Sequence, residues 1–124
     1  MSQFDKLIKL AKAGEWDVVD ARLKDEIILE QDFLWALKIG ITHPNENIRD
    51  FAATVLMVSS KTLTTEHMDA LRAQIATDTS NIVQFRIAMA LYKRSDRSEE
   101  TVAMVRKATH NSDVATLANE CLKI

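Results

Sequence analysis

The sequence has few of the residues that interrupt helices and only one that can cross-link the chain. Of its 124 residues, 2 are glycine and 1 is proline, and this scarcity of chain-breaking residues favours helices over a turn-rich β fold. The single cysteine, Cys121, excludes a disulfide within the chain and suits a reducing compartment. The formal net charge is −2, spread along the chain, so no strong electrostatic field recruits nucleic acid or an anionic membrane.

Long apolar runs are also missing. No segment approaches the roughly 18 consecutive apolar residues that a membrane-spanning helix needs. Lysines at Lys6, Lys9 and Lys12 interrupt the N-terminal apolar positions, so we expect no signal peptide. Apolar residues nevertheless make up 47% of the chain and charged residues 27%, which are ordinary values for a folded protein. We therefore expect one soluble, cytoplasmic domain over residues 1–124.

The most informative feature that is present is a helical pattern repeated three times at a spacing of 34 residues. In each copy an acidic residue comes first, apolar residues recur at helical intervals, and a cation directly follows the second apolar position. The copies are Asp32, Leu34, Leu37, Lys38 and Ile41; Glu66, Met68, Leu71, Arg72 and Ile75; and Glu100, Val102, Val105, Arg106 and Thr109. A period of this length is typical of stacked helical hairpins, in which no unit can bury its apolar face alone.

The polar segments between these helices repeat as well. They comprise residues 42–48, 77–83 and 109–114. Each is rich in Asn, Ser or Asp, residues that can cap the helix that follows. The helix predicted over residues 80–94 is apolar nearly all round, which is typical of a helix buried on several sides. We expect it to be the least exposed element and the centre of the core, with Ala88 and Leu91 close to fully buried.

Two further helices precede the repeats. The first should cover residues 2–13, with Ser2 as its N-cap and Gly14 in the left-handed conformation that ends many helices. The second begins near Trp16 and should end near Asp25. We therefore expect residues 1–31 to form N-terminal capping helices and residues 32–124 to form the repeats.

Polar outer faces at both ends indicate a complete array. The first helix carries Asp5, Lys6, Lys9 and Lys12 on this face, and the last helix carries Asp113, Thr116, Asn119, Glu120 and Lys123. Because polar end faces stop repeat proteins from polymerising, we expect a monomer of about eight helices.

Residues 44–56, Pro-Asn-Glu-Asn-Ile-Arg-Asp-Phe-Ala-Ala-Thr-Val-Leu, resemble the first helix of a HEAT-type repeat. Those repeats have an Asn/Asp-rich turn, then a β-branched residue, an arginine, small residues and a leucine. Residues 83–91 are similar, with Gln84 at the arginine position, and residues 114–115 depart further. The resemblance covers about residues 32–122. It implies an all-α fold, a right-handed α-α superhelix of antiparallel helices, and a binding scaffold. A tetratricopeptide array has the same period, but its Trp, Leu-Gly and Tyr pattern is missing.

The cations Lys38, Arg72 and Arg106 are the sharpest candidates for function. Equivalent positions in neighbouring repeats would lie roughly 10 Å apart, so the three would line the face of the second helices. Such a stripe would bind an acidic peptide or the phosphates of a nucleic acid backbone. Alternatively, the cations have a structural role, because they complement helix dipoles and can pair with acids of adjacent repeats.

Trp35 is a second candidate for the same surface. It lies near Lys38 and aligns with Asp69 in the next copy, so we expect a ring that is at least partly exposed. An exposed tryptophan beside a cation would anchor a ligand. The alternative is that the ring packs against the N-terminal helices.

The other reactive residues do not form a recognisable site. His43 and His110 occupy matching linkers with Asp78 between them, but two repeats would separate them by roughly 20 Å, too far for one metal ion. His67 has no second ligand at i+4, and Cys121 falls on an apolar stripe as a core residue. No phosphate-binding loop, catalytic triad or carboxylate pair can be found in the sequence. We therefore expect no enzyme, no cofactor and no metal.

These patterns favour a scaffold that binds a protein or peptide through the face of its second helices, and the cations on that face would suit an acidic partner. The alternative is a nucleic-acid-binding protein of the HEAT-like DNA glycosylase type, with the cations on phosphates and Trp35 near a displaced base. The slightly acidic balance of the chain counts against nucleic acid. A third possibility is a subunit of a complex with another protein.

Overall fold

The structure is a computed structural model that describes residues 2–25 and 27–124. Over these residues the chain forms eight α-helices and one short 3-10 turn, with no strand, so the expected all-α class and helix number are confirmed. The helices are α1 (Gln3–Lys12), α2 (Trp16–Leu23), α3 (Glu30–Lys38), α4 (Glu46–Val58), α5 (Thr65–Thr77), α6 (Asn81–Lys93), α7 (Glu99–Ala108) and α8 (Ala115–Leu122), and the 3-10 turn is Gly40–Thr42. Within the same residues, every helix is too short or too polar to cross a bilayer.

The starts of the helices repeat along the chain. The N-caps of α3, α5 and α7 are Leu29, Thr64 and Ser98, and those of α4, α6 and α8 are Asn45, Ser80 and Val114. In both series the successive N-caps are 35 and then 34 residues apart. The period of the sequence therefore corresponds to two alternating series of helices, one of α3, α5 and α7 and the other of α4, α6 and α8. Their arrangement as a superhelix stays a prediction.

The chain divides into two compact units, Met1–Ser59 and Ser60–Ile124. In the first unit α4 packs against α1, α3 and the 3-10 turn, and α1 also packs against α2. In the second unit α6 packs against α5, α7 and α8, and α7 also packs against α8. The boundary at Ser59 falls inside the segment that the sequence assigns to the repeats, and α4 and α6 are the central helices of their units.

The core of the first unit contains a cluster of three aromatic rings. The ring of Phe4 lies 5.5 Å from that of Trp35, edge to face, and 5.4 Å from that of Phe51. Such pairs contribute about 0.5–1.5 kcal/mol beyond the burial of their surface. The 3-10 turn passes so close to this cluster that a Cβ on Gly40 would lie 2.8 Å from the Trp35 ring and 2.7 Å from Ala52. Glycine is therefore needed at this position.

The ends of α1 are as the sequence predicts. The hydroxyl of Ser2 accepts the N–H of Asp5, and the Asp5 carboxylate accepts the N–H of Ser2, which makes a complete capping box. At the other end Gly14 has a φ of 78°. Helix α2 ends at Leu23, two residues before the expected Asp25.

Two of the three predicted linker caps are present. The side chains of Asn45 and Ser80 accept the N–H of the third residue of α4 and of α6. The third helix of this series begins after Val114, which has no polar side chain and leaves the cap unmade. There, Asn111 instead accepts the N–H of Asp113 at 2.9 Å and holds the turn before the helix.

Helix α3 departs from the repeated pattern. In α5 the pattern residue Leu71 is buried, but the equivalent Leu37 of α3 is only partly buried. Phe33 and Ala36 form the buried face of α3 instead. The helix also ends before Ile41, which belongs to the 3-10 turn. The cause is local, because glycine is a poor helix former and the residue before a proline disfavours the helical conformation.

The most buried helices are α4 and α6, each with eight buried residues out of 13. Ala88 and Leu91 of α6 are fully buried, as predicted. Among the described residues, α6 is the least exposed element jointly with α4, which has the same number of buried residues. Cys121 is buried beside Met89, with its Sγ 3.9 Å from the Met89 carbonyl oxygen, so its role as a core residue is confirmed.

The polar residues that were expected on the outer faces of the first and last helices are exposed. The last helix also exposes the apolar Leu117, which is 39% exposed, and Ile124 beyond its end is 67% exposed. The monomeric state stays a prediction.

Candidate functional site

An open groove of about 800 Å³ lies between α5 and α7 in the second unit. Arg72 and Ile75 of α5 line one side, and Glu100 and Met104 of α7 line the other. Asp96, in the turn between α6 and α7, lies between these sides. The groove is therefore formed by two of the helices that carry the 34-residue pattern.

A tight turn at the end of α6 positions the groove wall. The N–H of Ser95 donates to the carbonyl of Tyr92 at 3.0 Å, and the N–H of Asp96 donates to the carbonyl of Leu91 at 3.1 Å. These two bonds and the φ of 71° at Ser95 form a Schellman motif with serine at the position that glycine usually occupies. The motif satisfies two of the last carbonyls of α6 and turns the chain so that Asp96 faces the groove.

Asp96 is the most connected side chain of the groove and is 8% exposed. Its Oδ1 accepts the N–H of Ser98 at 2.9 Å, and its Oδ2 accepts the Thr101 hydroxyl at 2.8 Å and Nη1 of Arg72 at 2.7 Å. Burial opposes ionisation of this carboxyl, but the bonds from Ser98, Thr101 and Arg72 outweigh it, so the pKa of Asp96 is lowered. One carboxylate thereby joins α5, the turn and the first turn of α7.

Arg72 pairs with two carboxylates. In addition to the bond with Asp96, its Nη2 lies 2.8 Å from Oδ1 of Asp69 on the same helix. The hydrogen bonds to Asp69 and Asp96 raise the pKa of Arg72. The Asp69 side chain is 66% exposed, so this pair contributes little to stability. The pair with the buried Asp96 is the structurally important one.

Glu100 differs from the other charged residues that line the groove. Its side chain is exposed, and it has neither a hydrogen bond nor an ion pair with any residue that the structure describes. The charge of Arg72 is already matched by Asp69 and Asp96. The groove therefore presents one negative charge that the described protein groups leave uncompensated.

Small and apolar side chains form the floor. Ile75 is 7% exposed, and Ala73 and Ala76 on the same helix leave room beside it. Gln84 of α6 closes the end of the groove, because its Nε2 donates to the carbonyl of Ile75 at 2.8 Å and to that of Asp78 at 3.2 Å. This amide satisfies the carbonyl of Ile75 in the last turn of α5, which lacks a partner within the helix, and the carbonyl of Asp78 just after the helix.

The two residues that the sequence places at the HEAT-type arginine position have similar contacts. Arg49 of α4 donates through Nη1 to the carbonyls of His43 and Pro44. Gln84 of α6 makes the corresponding bonds to carbonyls at the end of α5 and in the linker that follows it. In both cases a side chain on the first turn of one helix holds the backbone of the preceding linker.

The five predicted binding residues are distributed over both units. The structure brings Asp69 and Arg72 together in the second unit, and Arg72 lines the groove. Arg106 is exposed in the last turn of α7, two residues after Met104 and so about 200° around the helix from it. Trp35 and Lys38 belong to the first unit. Lys38 is exposed at the end of α3.

Trp35 is partly buried, as expected, and its ring packs on the rings of Phe4 and Phe51. Phe4 belongs to α1, so the alternative in which Trp35 packs against an N-terminal helix describes its surroundings. These contacts give the ring a structural role in the first unit.

Asp96 was missed by the sequence analysis, although a short-range signal exists for it. In three linkers, the residue two positions before the N-cap accepts the N–H of the N-cap. The pairs are His43 with Asn45, Asp78 with Ser80, and Asp96 with Ser98, at 3.0, 2.8 and 2.9 Å. The same local contact therefore precedes α4, α6 and α7.

The residues considered for metal or covalent chemistry belong to both units. His43 lies in the first unit and His110 in the second, and the described residues contain no group of three or more His, Cys, Asp or Glu side chains that could hold a metal ion. Burial raises the pKa of the Cys121 thiol, although the charges of Lys93 and Arg97 act in the opposite direction. Cys121 is therefore a protonated thiol at neutral pH.

Comparison of the chain with protein-family models, with curated proteins and with solved structures finds no match. The HEAT-type resemblance rests on residues 44–56 and 83–91 and on the spacing of the helix starts, and it stays a prediction.

Proposed function

We propose that this chain is a non-catalytic module that binds a protein or peptide segment in the groove between α5 and α7. The observation that carries the proposal is the combination of an open apolar floor with a charged wall held by buried hydrogen bonds. Ile75, Ala73 and Ala76 form the floor, Arg72 and Asp96 form the wall, and Met104 lines the opposite side. A volume of about 800 Å³ lies within the range of pockets that hold organic ligands and accommodates a few side chains of a partner.

The rigidity of the wall supports this proposal. Asp96 is fixed by Arg72, Thr101 and Ser98, and the turn beside it is further held by Arg97, whose guanidinium lies 3.5 Å from the centre of the Tyr92 ring. A surface that is ordered before binding loses less conformational entropy when a partner arrives. A wall of this kind suits recognition of an extended segment.

The ionisation of the groove supports a role without catalysis. The lowered pKa of Asp96 and the raised pKa of Arg72 keep both groups charged at neutral pH. General acid–base catalysis needs a group whose pKa lies near the working pH. These two residues are suited to hold shape and charge, and the buried thiol of Cys121 is equally unsuited to act as a nucleophile.

The charges also favour a polypeptide over a nucleic acid. Binding to nucleic acid depends mainly on cations that meet phosphates. Arg72 already pairs with Asp69 and Asp96, so a phosphate would have to compete with two carboxylates. The packing of Trp35 against Phe4 and Phe51 likewise favours a structural role over stacking on a base.

We extend the proposal to the architecture. Helix starts spaced by 35 and 34 residues, and the matching contacts of Arg49 and Gln84, support a HEAT-like stack of helix pairs that acts as a scaffold. A monomer in the reducing cytoplasm is the form that we propose, and the buried thiol of Cys121 is consistent with that compartment.

A selection experiment tests the proposal. Linear peptides from a random display library are selected on the immobilised chain, and their affinities are then measured for two variants. Ala76→Arg places a long side chain in the groove, and Ala21→Arg places the same side chain on an exposed position of α2 in the first unit. We expect the selected peptides to bind the Ala21→Arg variant as they bind the wild type and to lose at least about tenfold in affinity for Ala76→Arg. Peptides that bind all three proteins equally would show that the groove is not the binding site.

A further inference from the structure

The charge of the α5–α7 groove is unbalanced. Among the described residues, its lining carries the carboxylates of Asp96 and Glu100 but the single cation Arg72, which also pairs with Asp69 on α5. Arg72 makes one short bond to Asp69 and one to Asp96, so its charge is shared by these two groups. An acidic ligand would have to displace Asp69 and would then meet the like charge of Glu100.

Glu100 is placed to receive a cation. It lies in the first turn of α7, where the helix dipole favours a negative charge, and its carboxylate has no protein partner among the described residues. The nearest cation on the same face of α7 is Lys107, seven residues on and therefore about 10 Å away along the helix. Between exposed groups at that distance, water and salt leave little interaction.

The surface beside Glu100 suits the stem of a long basic side chain. Met104 follows Glu100 by four residues and lies on the same face of α7. Ile75 and Ala76 lie across the groove on α5. The methylene groups of arginine or lysine pack on apolar surface while the charged head remains in water, and the flexible thioether of methionine adapts to such a stem.

We propose that the groove takes a partner segment whose anchor is an arginine or lysine, with the basic head on Glu100 and the stem between Met104 and Ile75. This inference rests on the proposed function and specifies the chemistry of the partner. It differs from the acidic partner that the pattern of Lys38, Arg72 and Arg106 suggests, because the structure engages Arg72 with two carboxylates.

Three synthetic peptides test the inference by titration of the ¹⁵N-labelled chain followed by NMR. The probe is acetyl-Ala-Leu-Arg-Leu-Ala-amide, and the other two peptides carry citrulline or glutamate in place of arginine. Citrulline has the shape of arginine without its charge. We expect the arginine peptide to shift the amide signals of α5 and the first half of α7, and to bind about 3- to 5-fold more tightly than the citrulline peptide. Added salt should remove this difference.

Matched variants assign the effect to one carboxylate. Glu100→Gln should lower the affinity for the arginine peptide to that for the citrulline peptide. Glu99→Gln changes an exposed neighbour that does not line the groove, and it should retain most of the difference between the two peptides.

Each other outcome leads to a definite conclusion. If the arginine and citrulline peptides shift the groove signals with equal affinity, the groove binds peptides but the basic anchor is wrong. Tightest binding of the glutamate peptide would also overturn the inference, in favour of an acidic partner. If no peptide shifts the groove signals at several millimolar, both the inference and the proposed function are rejected.

Discussion

Arg72 and Asp96 form an ion pair, with Nη1 2.7 Å from Oδ2, that links α5 to the turn before α7. The two residues are 24 positions apart in the sequence. The same carboxylate accepts the N–H of Ser98 and the hydroxyl of Thr101. The wall of the groove therefore depends on one largely buried side chain, and this dependence can be measured.

Replacing Asp96 with alanine should lower the free energy of unfolding by about 2–4 kcal/mol. The change leaves Nη1 of Arg72, the N–H of Ser98 and the hydroxyl of the fully buried Thr101 without their acceptor, and unsatisfied buried groups are expensive. Asp69→Ala is the matched control, because it removes the other carboxylate of Arg72 but from an exposed position. It should change the stability by less than about 0.5 kcal/mol. Urea unfolding of both variants measures the difference, and equal losses would contradict the importance given to Asp96.

The acid stability of the chain should depend on Asp96. Its pKa is lowered in the folded state from an ordinary value of 3.8, so between the two pKa values the unfolded chain binds more protons. The contribution of this group is therefore complete above about pH 5 and is lost as the pH falls through the lowered folded pKa. Asp96→Asn removes this titration, and its stability should fall less steeply between about pH 5 and pH 2 than that of the wild type. Parallel pH curves of the free energy of unfolding would contradict the expectation.

Two copies of one helix-ending motif allow a reciprocal exchange of residues. Gly14 after α1 and Ser95 after α6 both have a positive φ, 78° and 71°. A side chain in this conformation is strained, whereas glycine is not. Ser95→Gly should therefore raise the free energy of unfolding by about 0.5–1 kcal/mol, and Gly14→Ser should lower it by a similar amount.

A steric clash would not cause the expected loss of stability in Gly14→Ser, because the nearest atom to a Cβ built at Gly14 is Asn47 Nδ2 at 4.0 Å. Thermal melts of the two variants and of the double variant provide the measurement. A stabilising Gly14→Ser or a destabilising Ser95→Gly would show that the backbone conformation is not the controlling factor.

The interior of α6 provides a test of the core. Leu91 is fully buried, so Leu91→Ala should lower the free energy of unfolding by about 2–5 kcal/mol and can unfold so small a chain. Lys123 is exposed beyond the end of α8, and Lys123→Ala should leave the melting temperature unchanged. A Leu91→Ala variant as stable as the wild type would mean that the packing of α6 is different from the one described.

Local signals explain which parts of the fold could be predicted from the sequence. The caps at Ser2, Asn45 and Ser80 and the left-handed Gly14 depend on residues within one turn of the helix end, so their sequence patterns are sufficient. The apolar spacing predicts that α3 continues to about Ile41, but the helix ends at Lys38. The 3-10 turn that begins at Gly40 overrides the apolar spacing.

The candidate site could be predicted only in part, because its contacts are made between elements. The sequence singles out Arg72 and Asp69 by their place in the repeat, but it does not identify Asp96 as the partner 24 residues away. It offers packing of Trp35 against the N-terminal helices as an alternative, but it does not identify Phe4 and Phe51 as the rings in contact, since they belong to two other helices. Periodicity predicts equivalent positions, whereas the partner of each position depends on the tertiary fold.

Methyl NMR of the chain during titration with the arginine peptide is the most direct test of whether the α5–α7 groove binds polypeptide. The methyl groups of Met104 and Ile75 report on the groove, and the methyl group of Met57 in α4 serves as an internal reference from the first unit. We expect saturable shifts at Met104 and Ile75, abolished by Ala76→Arg, with no saturable shift at Met57. Shifts confined to Met57, or shifts at Met104 that survive Ala76→Arg, would contradict the claim that the α5–α7 groove binds polypeptide.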